Sequence, residues 1–284
     1  MPDIQEMMIS TEVGLIYGIL AIGIYLTFRT INFPDLTCDG SFVLGAAVSS
    51  SMIKAGCDPY NALMLAIVAG GLAGFFTGVL NVWLKIEDLL SGIIVAFMLY
   101  SVNLRIMGES PNISFANELT IFGNGHALLK ISAIVFVTVT LLVYVLNTDF
   151  GLGLRSIGQN KQFASTCGIN VKAMTITGLV ISNTMIGMCG AIFSQYQGLC
   201  DISHGVGCLV TGLASVIIGD KIIGLRNVSW AIVACVVGSV LYRIFITLAI
   251  HCDLFALKTQ DLNFITGIMM IAVMTAGRRN ASTE

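Results

Sequence analysis

Nine long apolar runs dominate this sequence: Val13–Phe28, Phe42–Ile53, Ala62–Leu84, Leu89–Met107, Leu128–Leu146, Ala173–Phe193, Val206–Ile218, Val228–Ile250 and Phe264–Ala276. A helix needs about 20 apolar residues to cross a bilayer, and most runs approach that length. The second and seventh are visibly short. A barrel strand would instead alternate over about ten residues, so the runs predict helices. Composition agrees: 56% of residues are hydrophobic and 11% charged. A soluble surface carries charge on about 25% of residues. These features predict an all-α polytopic transmembrane bundle of about 8–10 helices, forming a single membrane domain over residues 1–284.

Other classes are poorly supplied. A net charge of −2 and the absence of any Lys/Arg run offer no field for nucleic acid. The eight cysteines are scattered, without a CxxC pair, so they read as small packing residues rather than a disulfide or zinc framework. An enzyme would need a nucleophile or metal constellation. No Gly-x-Ser-x-Gly or His-Glu-x-x-His occurs, and the histidines are His126, His204 and His251. No cofactor or metal is expected. The acidic N-terminal segment does not read as a signal peptide, and residence in a bacterial inner membrane is the simplest assignment.

Orientation follows from the basic residues. With Arg278 and Arg279 in the cytoplasm, nine of the 14 lie inside, four outside, and Arg243 within a span. An odd number of crossings then puts the N-terminus outside. The longest external loop, Gly108–Ala127, contains the sequon Asn112-Ile-Ser114, which we read as chance.

Three stretches interrupt the apolar pattern. In the first, Asn32, Pro34, Asp35, Asp39, Gly40 and Ser41 fall where an ordinary turn would leave the second span too short to cross. A broken helix at membrane depth fits better. Irregular backbone there must line a polar cavity or be buried in protein, and an acid there marks a functional site. A plain N-cap by Asp35 is the simpler reading, and both can hold. The second, Gln195–Gly207, precedes another short span. Its Asp201-Ile202-Ser203 echoes Asp35-Leu36-Thr37, and paired interruptions point to a solute pathway. His204 reads as a hydrogen-bonded polar residue. Asn32, Asp35, Asp39, Ser41, Asp201 and Ser203 are therefore the candidates to line or shape a path.

The third is the polar stretch Thr148–Lys172. Gln159–Cys167 could form about two helical turns ended by Gly168, with Phe163 and Cys167 as one apolar stripe. A short helix with one aromatic knob suits docking into another protein's groove. Gly70, Gly74 and Gly78 read as close helix packing.

The stretch Gly151–Val171, with Arg155, Gly158, Asn160, Ala164, Gly168 and Asn170, resembles the coupling segment of permeases from branched-chain amino acid and ribose importers. Gly212–Gly224 resembles that family's A-x-V-x-x-G-G signature, with Asp220 in place of the second glycine, and Ile31-Asn32-Phe33 resembles its I-N-F/I-D-L stretch. The segment Asp35–Phe42 most resembles a subgroup held to import aromatic amino acids. The resemblance implies a type II ABC importer permease, with broken helices and a cytoplasmic coupling helix, that moves a small polar solute by alternating access. It implies a partner ATPase, an extracytoplasmic solute-binding protein and a second permease copy or homologue. It implies ATPase contact by Arg155, Gln159, Asn160, Phe163 and Gly168. The chain has no Gly-x-x-x-x-Gly-Lys-Ser/Thr loop of its own, so hydrolysis belongs to the partner. An ion-coupled secondary transporter using Asp35, Asp39 or Asp201 is the alternative, and an ungated channel a more distant one; both leave the docking segment without a purpose.

Overall fold

A computed structural model describes residues 4–123, 125–223, 227–251 and 267. The described residues are helical almost throughout. Helix α1 (Ile4–Tyr25) continues as a π-helical turn, Leu26–Ile31, and an extended segment leads to α2 (Cys38–Lys54). Then come α3 (Pro59–Val82), α4 (Asp88–Ile106), a strand β1 (Asn112–Ser114), α5 (Ala127–Leu146), α6 (Asp149–Gln159) and α7 (Lys161–Thr166). Helix α8 (Val171–Gln197), strand β2 (Leu199–Asp201), a 3-10 turn (Ile202–Gly205), α9 (Cys208–Ile223) and α10 (Val228–His251) follow.

Among the described residues, seven segments are long and apolar enough to cross a membrane. Eight of the nine expected runs are represented, because α2, with 17 residues, falls just short and lies inside the bundle. The ninth run, Phe264–Ala276, lies outside the described residues, as do Arg226, Cys252, Lys258, Arg278 and Arg279.

Burial separates centre from periphery. The most apolar window of α8 is 72% buried, while that of α5 is 22% buried and carries Phe136, Val137 and Tyr144 on its outer face. An apolar outward face of this kind suits lipid. Around α8, backbones approach closely wherever glycines allow it. A Cβ on Gly74 would meet Leu179 O at 2.3 Å, so α3 lies directly against α8. A Cβ on Gly45 would collide with the Gly187 backbone, which brings α2 equally close. Helices α2 and α8 run parallel, as the pairs Ser41–Asn183 and Ser49–Gln195 show. Helices α1 and α10 run antiparallel, with Ser10 meeting Thr247 at 2.7 Å and Ser239 Oγ donating to Gly14 O.

At one end of the bundle β1 pairs with β2, Ile113 opposite Cys200, and ties the 107–126 loop to the interruption before α9. Helices α6 and α7 lie at the other end.

Candidate functional site

The first interruption is built around a break in α1. Phe33 N donates to Thr27 O at 2.8 Å, and Asn32 takes a left-handed conformation at φ 56°, which ends the helix. Asn32 is exposed and Phe33 fully buried. The chain then runs extended through Pro34, which cannot continue a helix.

Asp35 is fully buried. Its Oδ1 accepts from Thr37 N at 2.8 Å and its Oδ2 from Asn183 Nδ2 at 2.7 Å. Asn183 is shared, because its Oδ1 accepts from Ser41 Oγ at 2.7 Å. Thr37 Oγ1 meets Thr77 Oγ1 at 2.7 Å. One connected polar cluster therefore pins the irregular segment to α2, α3 and α8, and such a cluster rigidifies when every member is satisfied. Asp35 does act on local backbone, through Thr37, and it also reaches across to α8.

Asp39 does something the sequence reading did not foresee. Its Oδ1 accepts from Leu209 N at 2.9 Å and its Oδ2 from Gly207 N at 3.4 Å, so it caps α9 across space. A Cβ on Gly205 would meet Asp39 O at 2.5 Å. The two interruptions, far apart in sequence, touch at this point. Asp201 stays local: its Oδ1 accepts from both the N–H and the hydroxyl of Ser203. Burial opposes its charge, but these two donors outweigh that and hold the carboxyl below the usual range. Ser203 is exposed, and neither residue reaches the Asp35 cluster through a hydrogen bond. His204 stacks edge-on against Phe193.

At the opposite end, the short helix expected over Gln159–Cys167 is α7, Lys161–Thr166, and a second helix, α6, precedes it. Asn160 is extended at φ −156°, which ends α6 at Gln159, and its Oδ1 accepts from Gln162 N and Phe163 N to start α7. A side-chain cap of this kind satisfies orphan N–H groups. Gly168 takes φ +82° just beyond α7. Phe163 stands 64% exposed, while Ala164 on the next position is fully buried. Arg155 bonds backbone: Nε donates to Gly151 O and Nη2 to Leu146 O, both at 3.3 Å, bracing α6 against the end of α5. Gln159 and Cys167 are exposed. Lys161 reaches Asp88 at 3.5 Å, and Asp88 also accepts from Asn81, so α7 is linked to α4 and α3. Asp220 accepts from Arg29 at 3.2 Å, joining α9 to the π-helical turn.

Some buried polar residues escaped the sequence reading. Asn183 and Gln195 lie in or beside an apolar run, and each makes hydrogen bonds to α2. Glu12 is buried on α1 and accepts from Tyr196 OH at 2.6 Å. Their signal was present, since polar groups amid apolar runs are costly unless partnered. Their partners were not.

A polytopic helical bundle with buried broken helices at one level and a capped, aromatic-tipped helix at one end is the build of a transport permease. Residues 7–274 match the family described as "Branched-chain amino acid transport system / permease component", and the chain belongs to it. It is 37% identical over 271 residues to a tyrosine transport system permease protein of Clostridioides difficile (strain R20291), covering 95% of this chain and 91% of that one. It is 27% identical to the autoinducer 2 import system permease protein LsrC of Escherichia coli (strain K12 / DH10B), covering 94% and 77%. It is 26% identical to a probable branched-chain amino acid transport permease protein LivH of Methanocaldococcus jannaschii, covering 81% and 78%. No solved structure matches the chain. The chain is thus the multi-pass inner-membrane permease subunit of an ABC importer, not an enzyme, and it works with a separate ATP-binding subunit. The secondary-transporter alternative is set aside.

Proposed function

We propose that the chain imports a small polar solute, an amino acid of the aromatic class, by alternating access. The α6–α7 end faces the cytoplasm, and Phe163 seats in a groove of the ATPase. Gln159 contributes to the same contact, whereas Arg155, Asn160 and Gly168 hold α6 and α7 in the shape that presents Phe163. Asn32, Asp35, Asp39, Ser41, Asp201 and Ser203 shape the solute path rather than all touching solute. A solute-binding protein delivers the amino acid at the β1–β2 end, and a second permease, copy or homologue, completes the path.

The observation that carries the coupling role is the contrast between Phe163, 64% exposed, and Ala164, fully buried beside it. Phenylalanine left in water beside a residue anchored in the core favours an interface. The linked Lys161, Asp88 and Asn81 give α7 a route by which movement reaches α3 and α4. The solute class is supported by the 37% identity to a tyrosine transport permease.

The test is uptake by proteoliposomes holding the permease, its ATPase and its binding protein, supplied with labelled aromatic, branched-chain and polar amino acids. ATP-dependent uptake of an aromatic amino acid, lost in Phe163→Ala while the protein stays folded, is expected. Uptake confined to another solute class overturns the solute assignment, and full coupling in Phe163→Ala overturns the role of α7.

A further inference from the structure

Arg243 stands within α10, and no acid among the described residues forms an ion pair with it. Helices α1 and α10 are antiparallel, with Gly14 facing Val240 and Gly18 facing Val236. The Arg243 backbone therefore lies beyond Gly14, toward the Ser10–Thr247 contact. Its guanidinium nevertheless sits over the Tyr17 ring, 4.1 Å from the centroid, near the middle of the 28-residue first span. Helical side chains lean toward their helix N-terminus, and the start of α10 lies beside the end of α5, where Ser229 meets Asn147. The charge is thus directed toward the middle of the membrane, away from the nearer interface.

A guanidinium at that depth is expensive, and groups of this kind pair or face a water-filled cavity. Among the described residues the ion pairs are Arg29–Asp220 and Lys161–Asp88, and no acid stands within that range of Arg243. Its Nε is wholly buried without a hydrogen bond, while the residue as a whole is only half-buried. The Tyr17 ring lies beneath the guanidinium carbon and is itself held edge-on against Phe193 at 5.4 Å. The N–H edges of a guanidinium held this way stay directed and match a carboxylate in a bidentate manner.

We infer that Arg243 lines the solute path and receives the carboxylate of the transported amino acid, held in place by Tyr17. This rests on the amino acid reading above. Lipid does not satisfy that edge, so α10 turns this side toward the path, in contrast to the lipid-facing aromatic side of α5.

The complex with ATPase and binding protein, in nanodiscs, is treated with phenylglyoxal with and without nucleotide, and modification at Arg243 is read by mass spectrometry. Modification is expected in one nucleotide state. An equal mixture of L-tyrosine, L-phenylalanine and L-leucine should protect, and the matching amines, which lack the carboxylate, should not. An unreactive Arg243 in every state overturns its place on the path, and equal or absent protection overturns carboxylate binding. In proteoliposomes, Arg243→Gln should lower uptake about tenfold or more with basal ATP hydrolysis kept, and Arg243→Lys should restore part of it. Unchanged uptake in Arg243→Gln overturns the inference. If that variant fails to fold, the modification of wild type still decides. Failure of the amino acid reading would appear separately, as wild type taking up no amino acid at all.

Discussion

The carboxylate of Asp39, in the first turn of α2, accepts the backbone N–H of Leu209 at 2.9 Å and so starts α9 from another helix. A helix that begins within the bundle has orphan N–H groups and no water to satisfy them. Two interruptions that each look costly in isolation therefore compensate one another.

Replacing Asp39 with alanine should remove that cap and lower stability by about 1 kcal/mol or more, by analogy with caps lost elsewhere. Asp39→Asn keeps one acceptor and should lose less. Thermal unfolding of the purified permease, compared across the pair, checks the order; equal midpoints for Asp39→Ala and wild type would show that the cap is dispensable.

Asn183 serves Asp35 and Ser41 together, so Asn183→Leu removes the partner of Asp35 Oδ2 and of the Ser41 hydroxyl, while Thr37 N still bonds Asp35 Oδ1. A loss of about 2–4 kcal/mol is expected, larger than for either partner's removal in isolation. Ser41→Ala should be mild by comparison. Denaturant or heat titrations of the two variants should separate clearly.

Gly190 admits no side chain, because a Cβ there would run into Phe42 O on α2. Gly190→Ala should force α2 and α8 apart and yield aggregated protein on size exclusion. Gly153→Ala, where the nearest atom is the flexible end of Met174 at 3.0 Å, should remain monodisperse.

Arg29 and Asp220 form a pair whose arginine is more than half exposed, 56% against 28% for the aspartate. Surface pairs contribute about 0–1 kcal/mol. Asp220→Gly, which removes the pair, should hardly change the unfolding midpoint. If the pair instead times movement between the π-helical turn and α9, the charge-reversed double variant should transport better than either single reversal.

Much of the architecture could be read from residues alone. The apolar runs specify helices of near-spanning length, and the brevity of the second and seventh runs reappears as α2 and α9, of 17 and 16 residues. Gly168 carried its local meaning, since a left-handed turn depends on neighbours a few positions away. The start of α7 was less legible. The expected helix began at Gln159, whereas the extended backbone of Asn160 ends α6 there and starts α7 two residues later.

Pairings between distant residues were not legible. Asp35 reads as an N-cap, and it does accept from Thr37 N, yet its second oxygen is satisfied by Asn183 from α8. Arg243 reads only as a charge within a span, whereas the antiparallel register of α1 and α10 sets it over Tyr17. Hydropathy and local backbone preference act over one turn or one span, so the sequence by itself determined the helices, their breaks and the short capped segment at one end. Which break meets which, and which buried charge is left to be answered by something other than the chain, was decided by the tertiary structure, because close helix packing selects partners through shape and register that no local stretch encodes.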